Sequence, residues 1–219
     1  MVPGSEADIS LNNLGELAVV FESDFGSVIA QRFDDQGLAP GGIIDLLPTY
    51  NDPTVRLADN GYLFVAAENN DPGPNGGGGV DLIVFNDTST FFDVLSINDT
   101  QINNQLSPSL SLLSGNEIGV VWSGFGDQTD NADNEGVFYK QYSIDYSTNV
   151  VSVDVAETRV NDFTIGNQAN ASIAGIGSDN FVIVWDGPAA GVTDTISHSL
   201  IRANPVSYTH LTLPTIYSV

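Results

Sequence analysis

Pro108-Ser-Leu-Ser-Leu112, a turn at Ser114-Gly115-Asn116, Ile118-Gly-Val-Val-Trp122, an acidic loop from Ser123 to Glu135, then Gly136-Val-Phe-Tyr-Lys-Gln-Tyr142: this stretch decides the fold. It reads as two strands in a hairpin, a polar loop and a third strand. The same order is written elsewhere in the chain. Asp8-Ile-Ser-Leu11, a turn ending at Gly15, Leu17-Ala-Val-Val-Phe21 and Val28-Ile-Ala-Gln-Arg-Phe33 form one copy. Pro53-Thr-Val-Arg-Leu57, Asp59-Asn60-Gly61, Leu63-Phe-Val-Ala-Ala67, a Gly-rich loop and Val80-Asp-Leu-Ile-Val-Phe85 form the next. The last has Ala171-Ser-Ile-Ala174, Gly177-Ser-Asp-Asn180 and Phe181-Val-Ile-Val-Trp185, with a third strand expected from Ile196 to Ile201.

A final strand closes each unit, at Ile43 to Leu47, Phe91 to Ile97 and Val151 to Val160. Asn98-Asp99 and Asn161-Asp162 follow two of these, and Asn104-Gln105 and Asn167-Gln168 come next at matching offsets. With Phe21, Ala67, Trp122 and Trp185 as equivalents, the spacings are 46, 55 and 63 residues. That is near the period of four-stranded propeller blades, and the excess sits in loops, where a blade tolerates insertion. A sandwich can be built from such strands, but its strands need not repeat at blade length in one internal order. The sequence therefore predicts an all-β chain, an incomplete β-propeller of about three and a half four-stranded antiparallel blades, with exposed edges at both ends. The blades fall roughly at 1–47, 53–97, 108–160 and 171–205, in one repeat domain.

Charge is lopsided. The 219 residues hold 28 acidic and 5 basic side chains, a formal net of −23. Such a chain repels nucleic acid and anionic membranes and attracts cations, though a solvated acidic surface needs no partner. No cysteine is present, so disulfides and thiolate chemistry are excluded. No apolar run is long enough to span a membrane. Met1 to Asp8 has no basic start and no apolar core, so it is not a signal peptide. Few Lys and many Asp, Asn, Gly, Ser and Thr fit an extracellular or cell-surface bacterial protein.

The pattern of apolar-Val-Val-Trp, acidic Gly-rich loop, Gly-Val-aromatic-x-Gln-aromatic, then Asn…Asn-Gln…Pro-Ser resembles repeats of very large secreted bacterial surface proteins. These often also carry hemolysin-type calcium-binding nonapeptides. The carriers are Val120-Val-Trp122, Gly136 to Tyr142, Gln31-Arg-Phe33, Asn104-Gln105 with Pro108-Ser109, and Asn167-Gln168 with Ser172. The second copy departs most, with Ala67 for the aromatic residue. The resemblance implies a surface-exposed propeller module, adhesive in use, and no catalysis. Val206-Ser-Tyr-Thr-His-Leu-Thr-Leu-Pro-Thr215 resembles the translation of a transposase sequencing adapter. On that account residues 206–219 are an artefactual tail, and the natural chain continues past Pro205 into the remaining blades of a larger parent.

Candidate chemistry is sparse. Asp127, Asp130, Asp133 and Glu135, with Asn131 and Asn134, crowd one loop and could offer calcium its oxygen ligands. Their spacing is not that of an EF-hand, and a solvated acidic loop is the competing account. Gly76-Gly-Gly-Gly79-Val-Asp81-Leu-Ile83-Val fits a single hemolysin-type nonapeptide, but one copy cannot complete a stacked site. Trp122 and Trp185 could stack on sugars, yet each follows three apolar residues, which favours a core role. Outside the tail His198 is the only histidine, and no Ser-His triad, zinc cluster or phosphate loop is present.

The sequence thus predicts a non-enzymatic extracellular binding, adhesion or structural module. It has no catalytic residues, is calcium-stabilised, and has glycans or cell-surface components as partners. The alternative is a fragment of a propeller glycoside hydrolase or lyase using Asp and Glu. Convergent acids near Asp8, Thr54, Ser109 and Ser172, at the starts of the first strands, would favour that alternative. Only one of the four is acidic.

Overall fold

The computed structural model describes residues 6–23, 27–46, 49–71, 78–88, 90–99, 104–113, 115–125, 135–161, 165–176, 180–187, 197–198 and 201–203. Residues 206–219, the tail set apart above, lie outside this set.

Four antiparallel sheets follow one another along the chain. The first blade is β1 (Ala7–Leu11), β2 (Leu17–Glu22), β3 (Val28–Phe33) and β4 (Ile43–Asp45). The second is β5 (Tyr50–Leu57), β6 (Leu63–Asn69), β7 (Gly79–Phe85) and β8 (Phe91–Ser96). The third is β9 (Gln105–Leu112), β10 (Glu117–Gly124), β11 (Gly136–Asp145) and β12 (Val150–Arg159). In the fourth, β13 (Ala169–Gly175) and β14 (Phe181–Gly187) are joined by two short strands, β15 (Ser197–His198) and β16 (Ile201–Ala203). Both pair with β14, so the third strand expected from Ile196 to Ile201 comes in two pieces. The architecture is the predicted incomplete propeller. No helix of the described residues is long and apolar enough to cross a membrane.

Apolar residues alternate between two faces because successive strand side chains point to opposite sides. On β6, Leu63, Val65 and Ala67 join Ala18, Val20, Val28 and Ala30 in a core between blades one and two. Phe64 and Ala66 face the other way, with Leu110, Ile118, Val120, Trp122 and Phe138, between blades two and three. Val121, Val137 and Tyr139 meet Ile173, Phe181, Ile183 and Trp185 between blades three and four. A strand buried on both faces needs a near-continuous apolar run, which is why Leu63–Ala67 and Ile118–Trp122 show no polar alternation. The outermost faces lack this cover: Ile9 is 61% and Leu11 69% exposed on the first blade.

The inner strands β1, β5, β9 and β13 sit side by side although each belongs to its own sheet. Side chains tie them together. Asp8 Oδ2 accepts the Val55 N–H at 2.9 Å and Ser10 Oγ the Leu57 N–H at 2.9 Å. Ser109 Oγ and Ser111 Oγ accept from Ile173 N and Gly175 N at 3.4 and 3.0 Å. Small polar residues on a first strand therefore serve as junction acceptors.

The recurring amides have equally specific jobs. Asn98 and Asn161 each accept the N–H that opens a third strand, from Val80 and Val137, both at 2.8 Å. Gln105 accepts the Trp122 indole N–H at 3.1 Å, and Gln168 that of Trp185 at 3.0 Å. A Cβ on Gly124 or Gly187 would strike the same glutamine side chains, which is why glycine stands at both places.

Candidate active site

Three of the inner strands carry the same irregularity. Asn51 pairs with Glu68 and Thr54 with Ala66, which leaves Asp52 and Pro53 opposite Ala67 alone. Ser107-Pro108 on β9 and Asn170-Ala171 on β13 repeat this opposite Trp122 and Trp185. Each is a β-bulge, one extra residue that re-aims a side chain. Asp52, Ser107 and Asn170 take φ of 46°, 52° and 54°, the left-handed region. Asp and Asn tolerate this conformation better than most residues, yet it still costs on the order of 1–3 kcal/mol. Such strain concentrates at functional sites. In the first blade Asp8 pairs with Val20, as Thr54 pairs with Ala66. The described pairing in the first blade has no bulge, so Glu6, two residues before Asp8, stands opposite Glu22 as Asn51 stands opposite Glu68.

Glu6, Asp52, Ser107 and Asn170 thus mark one end of the axis. Glu22 and Glu68 stand behind them, at the ends of β2 and β6. The Asp52 carboxyl is within hydrogen-bond reach of both Glu6 and Glu68. Glu22 Oε1 accepts the Asp52 N–H at 2.8 Å. Glu68, 7% exposed, accepts from Ser107 N at 2.7 Å and from the Asn51 amide at 2.6 Å.

Crowding sets the protonation. The hydrogen bond to Asp52 pushes Glu6 up from 4.5 to about 7, helped by burial and by the charges of Asp52, Glu22 and Glu68. Burial raises Glu68 too, and the Asp52 carboxylate adds to this; the bonds from Ser107 and Asn51 act in the opposite sense. One proton is therefore held at the Glu6–Asp52 pair up to neutral pH, as like charges in contact require. A carboxyl that keeps a proton near pH 7 beside a second carboxyl can work as acid or base.

The positions named from sequence lie close by but do other work. Burial tends to raise Asp8, and the bonds from Val55 N and Thr54 Oγ1 and the Arg56 charge outweigh it, so its carboxyl ends below the usual range. Arg56 sits 2.9 Å away. Asp8, Thr54, Ser109 and Ser172 are two residues beyond the converging acids. The bulge displaces Asp52, and strand counting does not see it. The legible signal was Asp52-Pro-Thr, Ser107-Pro-Ser and Asn170-Ala-Ser, a residue tolerant of the left-handed region ahead of the same small hydroxyl.

Asp127, Asp130 and Asp133 of the calcium loop lie outside the described residues; Glu135 is described, and its carbonyl accepts the Gln168 N–H at 2.8 Å. Among the described residues no group of three or more His, Cys, Asp or Glu could hold a metal ion. Asp81 of the nonapeptide accepts from Tyr50 Oη at 2.9 Å and Asn69 at 2.8 Å. Trp122 and Trp185 are 0% and 5% exposed, so both are core residues. His198 lies on β15.

No protein-family model and no curated protein matches the chain. Solved structures do. A GH43_12 retrieved from capybara gut metagenome superposes with a TM-score of 0.54 at 13% identity, over 91% of this chain and 39% of its own. The Bacteroides ovatus xyloglucan PUL GH43B gives 0.52 at 16% identity, over 97% and 41%. A thermostable family-43 glycoside hydrolase gives 0.50 at 8% identity, over 90% and 68%. The chain spans 39% and 41% of the length of the first two. What is shared at these identities is the propeller fold. The expectation of a non-enzymatic binding or adhesion module with no catalytic residues is corrected here. The fold is one that glycoside hydrolases use, and acidic side chains converge at its axis where the repeat alone had shown a single one.

Proposed function

We propose that the axis end bearing Glu6, Asp52 and Glu68 is part of a glycoside hydrolase site, with Asp52 as its central carboxylate. The observation that carries this is the strained bulge at Asp52, which brings its carboxyl against Glu6 and leaves a proton there near neutral pH. Glycosidases use two carboxyl groups about 5–5.5 Å apart when retaining and about 6.5–9.5 Å apart when inverting. The hydrogen bond between Glu6 and Asp52 makes them one coupled pair and not two carboxyls opposed across a glycosidic bond. They act as one unit, Glu6 tuning Asp52.

The substrate class follows from charge. An axis end lined by carboxylates in a chain of net charge −23 disfavours uronic acids and sulfated sugars, so a neutral glycan is the fitting substrate. Xyloglucan, named for the Bacteroides ovatus neighbour, is the first polysaccharide to try.

The test is reducing-sugar release from xyloglucan and a panel of neutral glycans by the chain and its Asp52→Asn variant. Asp52→Asn is expected to lower turnover by about 100-fold or more, the scale of a lost acid–base group. No turnover on any member of the panel, or equal turnover by the variant, overturns the proposal.

A further inference from the structure

Two consecutive blade junctions carry the same clasp. Glu22 accepts the N–H of Asp52 at 2.8 Å, and Glu68 accepts that of Ser107 at 2.7 Å. The two glutamates are 46 residues apart at equivalent places, each one residue after the position where blades three and four have tryptophan. Their targets are equivalent as well, both left-handed bulge residues. A bulge residue is the one the ladder leaves unpaired, so its N–H must find an acceptor elsewhere. Here a carboxylate from the preceding blade supplies it. At the third junction the same place holds Ser123, whose buried Oγ has no partner among the described residues, and Asn170 bonds Asp186 of its own blade at 3.1 Å.

Glu22 also holds the other member of the pair. Its own N–H donates to the Glu6 carbonyl at 3.0 Å while its side chain holds Asp52. One residue therefore grips both members of the carboxyl pair, one through the main chain and one through the side chain.

We infer that Glu22 is the positioning residue of the site: by taking the Asp52 N–H it fixes the bulge that sets the Asp52 carboxyl against Glu6. This rests on the reading of the axis end as a hydrolase site. Glu22 touches no substrate in this role. The groups facing Glu6 are Asp52 from β5, Glu22 from β2 and Glu68 from β6, and all three press its carboxyl toward the protonated form. Glu22 contributes in two separable ways, through its charge and through its grip on Asp52.

Two conservative variants separate them. Glu22→Asp keeps the charge and loses the reach. Glu22→Gln keeps an oxygen at the right length and loses the charge. Carbon-13 carboxyl NMR of the labelled chain across pH 3 to 9 reads Glu6 directly, with or without turnover. In Glu22→Asp the Glu6 midpoint is expected to fall well toward the ordinary value, because its largest cause, the bond to Asp52, is lost. In Glu22→Gln most of the elevation should remain. On any glycan the chain hydrolyses, kcat should drop about 10- to 100-fold in Glu22→Asp, with KM little changed, and stay within about threefold in Glu22→Gln. A midpoint that falls as far or further in Glu22→Gln shows that only charge matters and overturns the inference. An unmoved midpoint in Glu22→Asp overturns it as well. Absence of hydrolysis defeats the hydrolase reading alone, since the NMR ordering still decides whether Glu22 holds Asp52.

Discussion

The first two blades and the last two differ at one structurally equivalent place. Blades three and four have Trp122 and Trp185 there, each bound to a glutamine four residues before a small hydroxyl of the inner strand. Blades one and two have Phe21 and Ala67, followed by Glu22 and Glu68. Where the tryptophan fills the place, the next residue is Ser123, whose Oγ has no partner among the described residues, or Asp186, which accepts from Asn170 of its own blade at 3.1 Å. Where the tryptophan is missing, a carboxylate reaches into the next blade and takes a main-chain N–H. Two adjacent scaffold positions thus divide the work, a packing residue in one half and a carboxylate just after it in the other.

The sharpest way to break this comparison is to remove the packing residue on each side. Trp122→Ala strips the largest fully buried side chain from the core between blades two and three and removes the indole donor to Gln105 Oε1. It should cost about 3–5 kcal/mol. Phe21→Ala, on a half-buried face of the first blade, should cost less than about half of that. Urea unfolding followed by far-UV circular dichroism measures both. Equal losses would mean that the two halves are not built differently.

A smaller effect is expected from pH, and it belongs to the acidic half. Glu6 is raised in the folded chain, and Glu68 moves the same way. A carboxyl raised on folding adds stability that is fully present below the ordinary value of 4.5 and is lost as pH rises through about 7. The chain should therefore melt at a lower temperature at pH 8 than at pH 5. Glu6→Gln should flatten the profile in that window. A slope that survives Glu6→Gln intact would place its origin in the general charge excess.

The smallest expected effect tests whether the third blade has an acidic device of its own. If the proposed calcium ligands Asp127, Asp130, Asp133 and Glu135 act together, millimolar calcium should stabilise the chain. A dissociation constant of about 0.1–1 mM, as for extracellular modules, gives about 0.4–1.4 kcal/mol at 1 mM. Thermal melts with calcium, with magnesium and with chelator at matched ionic strength provide the measurement. Equal shifts with both ions, or a shift that persists in Asp130→Asn with Asp133→Asn, leave only a solvated loop.

Sheet order and blade period were legible because apolar runs, turn residues and the Trp repeat all have local signatures. Asn98, Gln105, Asn161 and Gln168 were visible as a pattern, and their roles were not, since each bond spans 17 to 24 residues. The carboxyl pair was harder. Glu6 and Asp52 come from different blades, and a single inserted residue moves Asp52 off the register that alternation predicts. The tolerance of Asp for positive φ was visible, but only the third dimension shows that the Asp52 N–H is bonded by Glu22.

The fastening of the inner strands has a consequence for how such a ring can change over time. Neighbouring first strands share no ladder; Asp8, Ser10, Ser109 and Ser111 bridge them one side chain at a time. A ladder fixes its spacing at the length of a peptide bond pair, whereas a side-chain bridge is as long as the residue chosen. An aspartate and a serine, Asp8 and Ser10, join the same two strands at 2.9 Å, so a bridge can be rewritten by a single codon while both sheets keep their own ladders. A duplicated blade could be spliced into the ring without any new strand register having to be invented.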